Sequence, residues 1–96
     1  MNIVSQKLTA SPESEIISEL SVFPNPATDL LNVDLKGFEG NVTIEIFDFS
    51  GKRIYFQKTG EISTAEIKVS QFVQGVYLLR VNDAAGNSST TKWIKQ

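Results

Sequence analysis

The chain has 96 residues, 41% of them hydrophobic and 21% charged, with nine Lys and Arg against eleven Asp and Glu for a net charge of −2. Cysteine and histidine are both absent, which excludes disulfide frameworks, Ser-His-Asp and Cys-His nucleophile systems, and zinc sites built on those ligands. Acids and bases are interspersed, so there is no electrostatic footprint for nucleic acid or an anionic membrane, and no apolar run reaches the ~18 residues of a membrane-crossing helix.

Residues 1–15 (MNIVSQKLTASPESE) mix Ser, Thr, Pro, Glu and Lys without periodicity and read as a flexible linker. No basic-then-apolar start resembles a signal peptide, so any export signal is expected elsewhere in the parent protein. From Ile16 onward the chain reads as one domain, residues 16–96. Ile16, Ile17, Leu20, Val22 and Phe23 lead into the corner Phe23-Pro24-Asn25-Pro26-Ala27. Each proline fixes φ near −65° and removes a donor, which predicts a rigid corner and, before it, an edge strand. Asn25 and Asp29 are of the type that bonds back to nearby backbone and closes such a turn.

Beyond the corner the apolar residues alternate. Leu31, Val33 and Leu35 form one strand pattern, and Val42, Ile44 and Ile46 form a second after a loop with two glycines. Asp48-Phe49-Ser50-Gly51-Lys52 fits a tight hairpin with a glycine bulge, and Arg53 to Lys58 is the return strand, with Ile54 and Phe56 on one face and Tyr55 on the other. Ala65, Ile67 and Val69 suggest a fifth strand. A short crossover follows in which Phe72 plugs an end of the core, and Gly75 turns the chain sharply into Val76–Val81, where Tyr77, Leu79 and Val81 share a face. Thr90 to Lys95 is the last strand. Seven short strands with Gly, Asn and Asp at the joints predict an all-β fold, a small antiparallel β-sandwich, with a small β-barrel as the alternative.

Chemistry is sparse. Asp29, Asp34, Asp48 and Asp83 lie at predicted turns, where Asp serves the backbone; no carboxylate pair suits acid–base catalysis and no spacing matches a calcium loop. The reading is therefore a non-enzymatic module without cofactor or metal. Two sequons, Asn41-Val42-Thr43 and Asn87-Ser88-Ser89, match a pattern that is common by chance. Phe49, Tyr55 and Trp93 would form a sugar-binding platform if exposed together, the mark of an accessory carbohydrate-binding or adhesion module. A rigid inhibitory loop at the proline corner is a third option. Lys92 and Lys95 fit a charged edge strand that discourages aggregation, or one that docks a partner or a second copy as a weak dimer.

Four segments carry a resemblance. They are Phe23-Pro24-Asn25-Pro26-Ala27-Thr28-Asp29-Leu30-Leu31-Asn32-Val33, Val42 to Lys52 with its Asp48-Phe49-Ser50-Gly51-Lys52 turn, Gln74-Gly75-Val76-Tyr77-Leu78-Leu79-Arg80-Val81, and Lys92-Trp93-Ile94-Lys95. In this order they resemble the C-terminal sorting domain of the bacterial type IX (Por) secretion system, type A, with Phe23 in place of the commoner Tyr. The resemblance covers about residues 22–96 and implies a seven-stranded antiparallel immunoglobulin-like β-sandwich at the tail of a larger protein of a Gram-negative, Bacteroidetes-type bacterium. Such a domain directs its cargo through the outer-membrane translocon, passing the periplasm on the way to the cell surface or the medium. Its implied partners are the translocon with its shuttle and sortase proteins; the sortase typically removes the tail, with the cut expected within residues 5–20, and can join the cargo to lipopolysaccharide. The positions it marks as recognition or fold determinants are Pro24, Asn25, Pro26, Ala27, Asp48, Gly51, Gly75, Tyr77, Lys92 and Lys95. A removable label should present an accessible edge, so the final strand is expected at a sheet edge.

Overall fold

Period-2 alternation puts every second side chain on one face of a strand, and here those faces close on each other. The computed structural model describes residues 20–96, so the expected linker and the contribution of Ile16 and Ile17 to a first strand lie outside the described residues. The described strands are β1 (Val22–Phe23), β2 (Leu30–Asp34), β3 (Val42–Phe47), β4 (Arg53–Thr59), β5 (Thr64–Lys68), β6 (Gly75–Asp83) and β7 (Ser88–Lys95). They form a three-stranded sheet, order β1-β2-β5, and a four-stranded sheet, order β4-β3-β6-β7. All strand pairs within the sheets are antiparallel. The fold is the expected all-β sandwich rather than a closed barrel.

The core is built from the residues that alternate. Leu31 and Val33 of β2 and Ala65 and Ile67 of β5 face Val42, Ile44 and Ile46 of β3, Tyr77, Leu79 and Val81 of β6, and Trp93 of β7. Leu35 and Val69 extend this core past the strand ends. Burial of each such aliphatic side chain contributes about 1.5–3 kcal/mol before the chain's entropy is set against it. Glycine and Asp at the joints turn the chain between strands, and β6 and β7 each run at least two residues longer than expected.

Two expectations about edges hold. β1 is a two-residue edge strand pairing Val22 with Val33 and Phe23 with Asn32, stopped by Pro24. β7 is the outer strand of the four-stranded sheet. The sandwich has two ends. Near one lie the loops after β2 and β6; at the other meet the proline corner, the β3–β4 turn, the β5–β6 crossover and the last residues of β7.

Candidate functional site

That second end is where the marked residues gather. Past β1 the corner crosses to the other sheet and lies against the end of β7, with Phe23–Pro24 and Asn25–Pro26 both cis. Ala27 donates its N–H to the Ile94 carbonyl at 2.9 Å, and Gln96 donates to the Ala27 carbonyl at 2.8 Å, which makes a short parallel bridge to Lys95. Asn25 Oδ1 accepts the Ile94 N–H at 3.0 Å. Asn25 therefore does not close its own turn, as its residue type suggested; its acceptor is used 69 residues away. Ala27 is fully buried, so a methyl is as much side chain as the seam admits.

The β3–β4 turn is set by Asp48. Its Oδ1 accepts the Ser50 hydroxyl at 2.7 Å and the N–H groups of Ser50 at 2.9 Å and Lys52 at 3.0 Å. The Ser50 hydroxyl foremost, then the Lys52 amide, hold its carboxyl below the ordinary Asp value. Gly51 has φ +94°, as the predicted bulge requires, and its N–H donates to the Asp48 carbonyl at 2.9 Å. Gly75 opens β6 at φ +151°, another angle that side chains disfavour. Tyr77 is buried; its ring stacks on Trp93 with centroids 5.0 Å apart, and its hydroxyl donates to the Val73 carbonyl, tying the crossover to the core. Phe72 packs on both rings, at 5.5 Å from Tyr77 and 5.9 Å from Trp93, the plug expected of it.

The outer face of the four-stranded sheet carries a feature that the alternation pattern does not show. Glu45 is only 7% exposed, between Arg53 and Arg80. Arg53 Nη1 donates to Oε2 at 3.0 Å, and Arg80 donates Nε at 3.0 Å and Nη2 at 2.9 Å to Oε1. The guanidinium of Arg53 lies 4.6 Å from the Phe56 ring centre and that of Arg80 5.1 Å from Phe47, so charge and aromatic faces alternate across three strands. The hydrogen bond from Arg53 lowers the Glu45 carboxyl most; burial opposes it, and Arg80 adds to the lowering. Folding thus favours the ionised form, and the stability this contributes is complete above the ordinary Glu value of 4.5 and is lost as the pH falls through the lower folded value. Glu45→Gln is expected to cost about 1–2 kcal/mol at pH 7, since both arginines are half exposed and screened. It should also flatten the acid limb of stability against pH, measured by urea unfolding between pH 7 and 3.

Lys92 pairs in register with Leu78 on this same outer face, while Lys95 donates Nζ to the Gln96 carbonyl at 3.0 Å. The structure thus brings Asn25, Ala27, Asp48, Gly51, Gly75, Tyr77, Lys92 and Lys95 to one end, with Pro24 and Pro26 shaping the corner. Ile94 turns its N–H and C=O away from β6, so period 2 puts those of Lys92 and Thr90 on the open edge as well. Among the described residues, the corner covers that edge at Ile94 and beyond.

Other expectations fare differently. Trp93 is fully buried, Tyr55 lies half-buried against the core with its hydroxyl raised by burial, and only Phe49 is well exposed, so these rings form no platform. Asp83 serves the backbone, accepting from Glu39 N–H at 2.7 Å, Ala85 N–H at 2.9 Å, and Asn87 through its N–H at 2.8 Å and side chain at 2.9 Å. Burial would raise its pKa, but the Asn87 side chain and these amides together lower it. Among the described residues no group of three or more acids is placed to hold a metal ion, and no helix is long and apolar enough to cross a membrane.

Comparison with known proteins places this end in context. Residues 21–96 match the family described as the secretion system C-terminal sorting domain. An endo-acting ulvan lyase of Formosa agariphila is 33% identical over 93 residues, 96% of this chain but 18% of the enzyme. A β-agarase of Zobellia galactanivorans is 25% identical over 91 residues, again 18% of its length. The chain thus spans under a fifth of the curated relatives it matches. Among solved structures, a Bacteroides vulgatus protein with an immunoglobulin-like β-sandwich fold superposes with TM-score 0.68 at 21% identity, over 80% of this chain and 83% of that one. Dimeric latent PorU from Porphyromonas gingivalis gives TM-score 0.59 at 27% identity, over 79% of this chain and 9% of PorU.

Proposed function

The chain belongs to the secretion system C-terminal sorting domain family, and from that premise we propose how it works: as a folded address that a larger exported protein carries through the type IX system. Membership implies interaction with that secretion machinery and export to the surface or beyond. Within it, the proposal is that the domain folds in the periplasm, engages the outer-membrane translocon and its shuttle proteins, and is cut off by a sortase in the segment ahead of the corner. The module itself performs no catalysis.

The observation that carries this reading is the gathering at one end of the sandwich of the marked residues that the four motif segments contain. The corner and the tail are joined there through Asn25, Ala27 and Ile94, while the Asp48–Lys52 turn and the Gly75–Tyr77 segment frame the adjoining surface.

The test is export. Residues 1–96 fused behind a periplasm-targeted fluorescent protein, in a type IX-competent bacterium, should bring the reporter to the surface or medium trimmed of the domain, while the reporter alone stays inside. Equal retention of both would sink the reading.

A further inference from the structure

We propose that the apolar groove between the Asp48–Lys52 turn and the β5–β6 crossover is the surface by which the domain is received, and that its occupant is an extended protein segment bearing a large apolar side chain beside carboxylates. This rests on the sorting role above. The groove is a shallow depression of about 670 Å³, open to solvent, among Phe49, Ile54, Phe72, Val73 and Val76. A second depression of about 210 Å³ shares Phe49 and Val76 and runs on to Leu78 and Lys92.

Folding does not explain what lines it. Phe49 is 89% exposed and Val73 is 78% exposed. The turn chemistry needs Asp48 and Gly51 and accepts nearly any residue between them, so an aromatic at its tip contributes nothing to the hairpin. The crossover is nonetheless held firmly, because Tyr77 bonds the Val73 carbonyl and Phe72 is wedged on the core. Exposed apolar side chains on rigid supports mark a contact surface.

Charge names the partner's chemistry. Asp48 and Lys92 are the charged residues lining the two depressions; exposed Lys52 ends the turn beside them, and Arg53 and Arg80 stand on the adjoining sheet face on either side of Glu45. Glu45 is consumed by the two arginines and Asp48 Oδ1 by its own turn, leaving the lysines to face outward. A side chain fits the concavity, and carboxylates beside it meet Lys92 and Lys52. A flat membrane would touch the Phe49 and Val73 tips and leave the groove beneath them empty.

The export reporter tests this with Phe49→Asp, Val73→Asp and Lys92→Glu, and with Leu30→Asp on the three-stranded sheet as the control. Each variant's thermal midpoint is measured alongside. The groove variants should fold normally yet lower export about tenfold, Lys92→Arg should restore it, and Leu30→Asp should export normally. Export of groove variants at the unaltered level overturns the groove and leaves the sorting role standing. Failure of the unaltered domain overturns both. Binding to phosphatidylglycerol vesicles that Phe49→Asp abolishes, with export unaffected, would assign the patch to lipid and likewise overturn the proposal.

Discussion

Trp93→Ala is expected to remove about half of the domain's stability at 25 °C and to move its urea midpoint down in proportion. Trp93 is fully buried, stacked on Tyr77 and packed by Phe72, and truncating a buried aromatic to Ala costs about 3–5 kcal/mol. A domain of this size has roughly 5–10 kcal/mol in all, so a change of that order consumes much of it. Far-UV circular dichroism in urea is the right probe, because the chain has one Trp and its fluorescence goes with the mutation. Trp93→Phe should cost far less. The indole Nε1 has no hydrogen-bond partner among the described residues, and its removal relieves a buried donor worth about 1–3 kcal/mol, offsetting part of the lost contact. If Phe proves as damaging as Ala, the indole N–H is satisfied after all. Deleting Lys92–Gln96 removes Trp93 with the lysines, so loss of export on such a deletion would report unfolding and leave the recognition surface unprobed.

The second large effect is expected at Ala27. Its methyl sits in the seam between corner and tail with no exposed surface. Overpacking such a site costs about 1–3 kcal/mol, and Ala27→Leu has nowhere to put the added atoms except by lifting the corner. The cost should therefore be local as well as global: the Ile94 and Gln96 amides, which Asn25 Oδ1 and the Ala27 carbonyl accept, should exchange with solvent faster relative to β3 and β6. Unchanged protection of the Gln96 amide in a normally stable Ala27→Leu domain would show that the corner is not clamped.

Much of this architecture was legible before any coordinates. Leu31 and Val33, Val42 to Ile46, and Tyr77 to Val81 alternate cleanly because each strand has one buried face, and Asp48 with Gly51 announces its turn through requirements local to five residues. What stayed hidden depends on neighbours far along the chain. Trp93 is where the general preference of large apolar strand residues for the core held over the sugar-platform alternative, although a strand with one large aromatic among Thr, Lys and Ile does not itself declare which face is buried. Asn25 has the type of a local cap, and nothing nearby says that its acceptor serves Ile94. Glu45 looks like any outward polar residue until the register sets Arg53 and Arg80 on either side. The resemblance marked Asp48, Gly51, Gly75, Tyr77, Lys92 and Lys95 without distinguishing scaffold from surface; the structure makes Tyr77 and Gly51 scaffold and turns Lys92 outward. Phe49 was named only as one ring of a sugar platform and Val73 was missed, because their exposure together follows from loop positions that periodicity does not address.

The seam between the corner and the end of β7 also dictates an order of events in time. The corner emerges early, but the Ile94 amide it receives arrives 69 residues later, as nearly the last part of the domain to be made. Until then the four-stranded sheet lacks its outer strand, the core lacks Trp93, and Asn25 has nothing to hold. Loop closure over so long a span gains nothing until its final contact forms. A chain broken off anywhere before that point cannot assemble this end of the molecule. Closure therefore acts as a receipt: a domain that presents the finished end is one whose synthesis ran through its last strand.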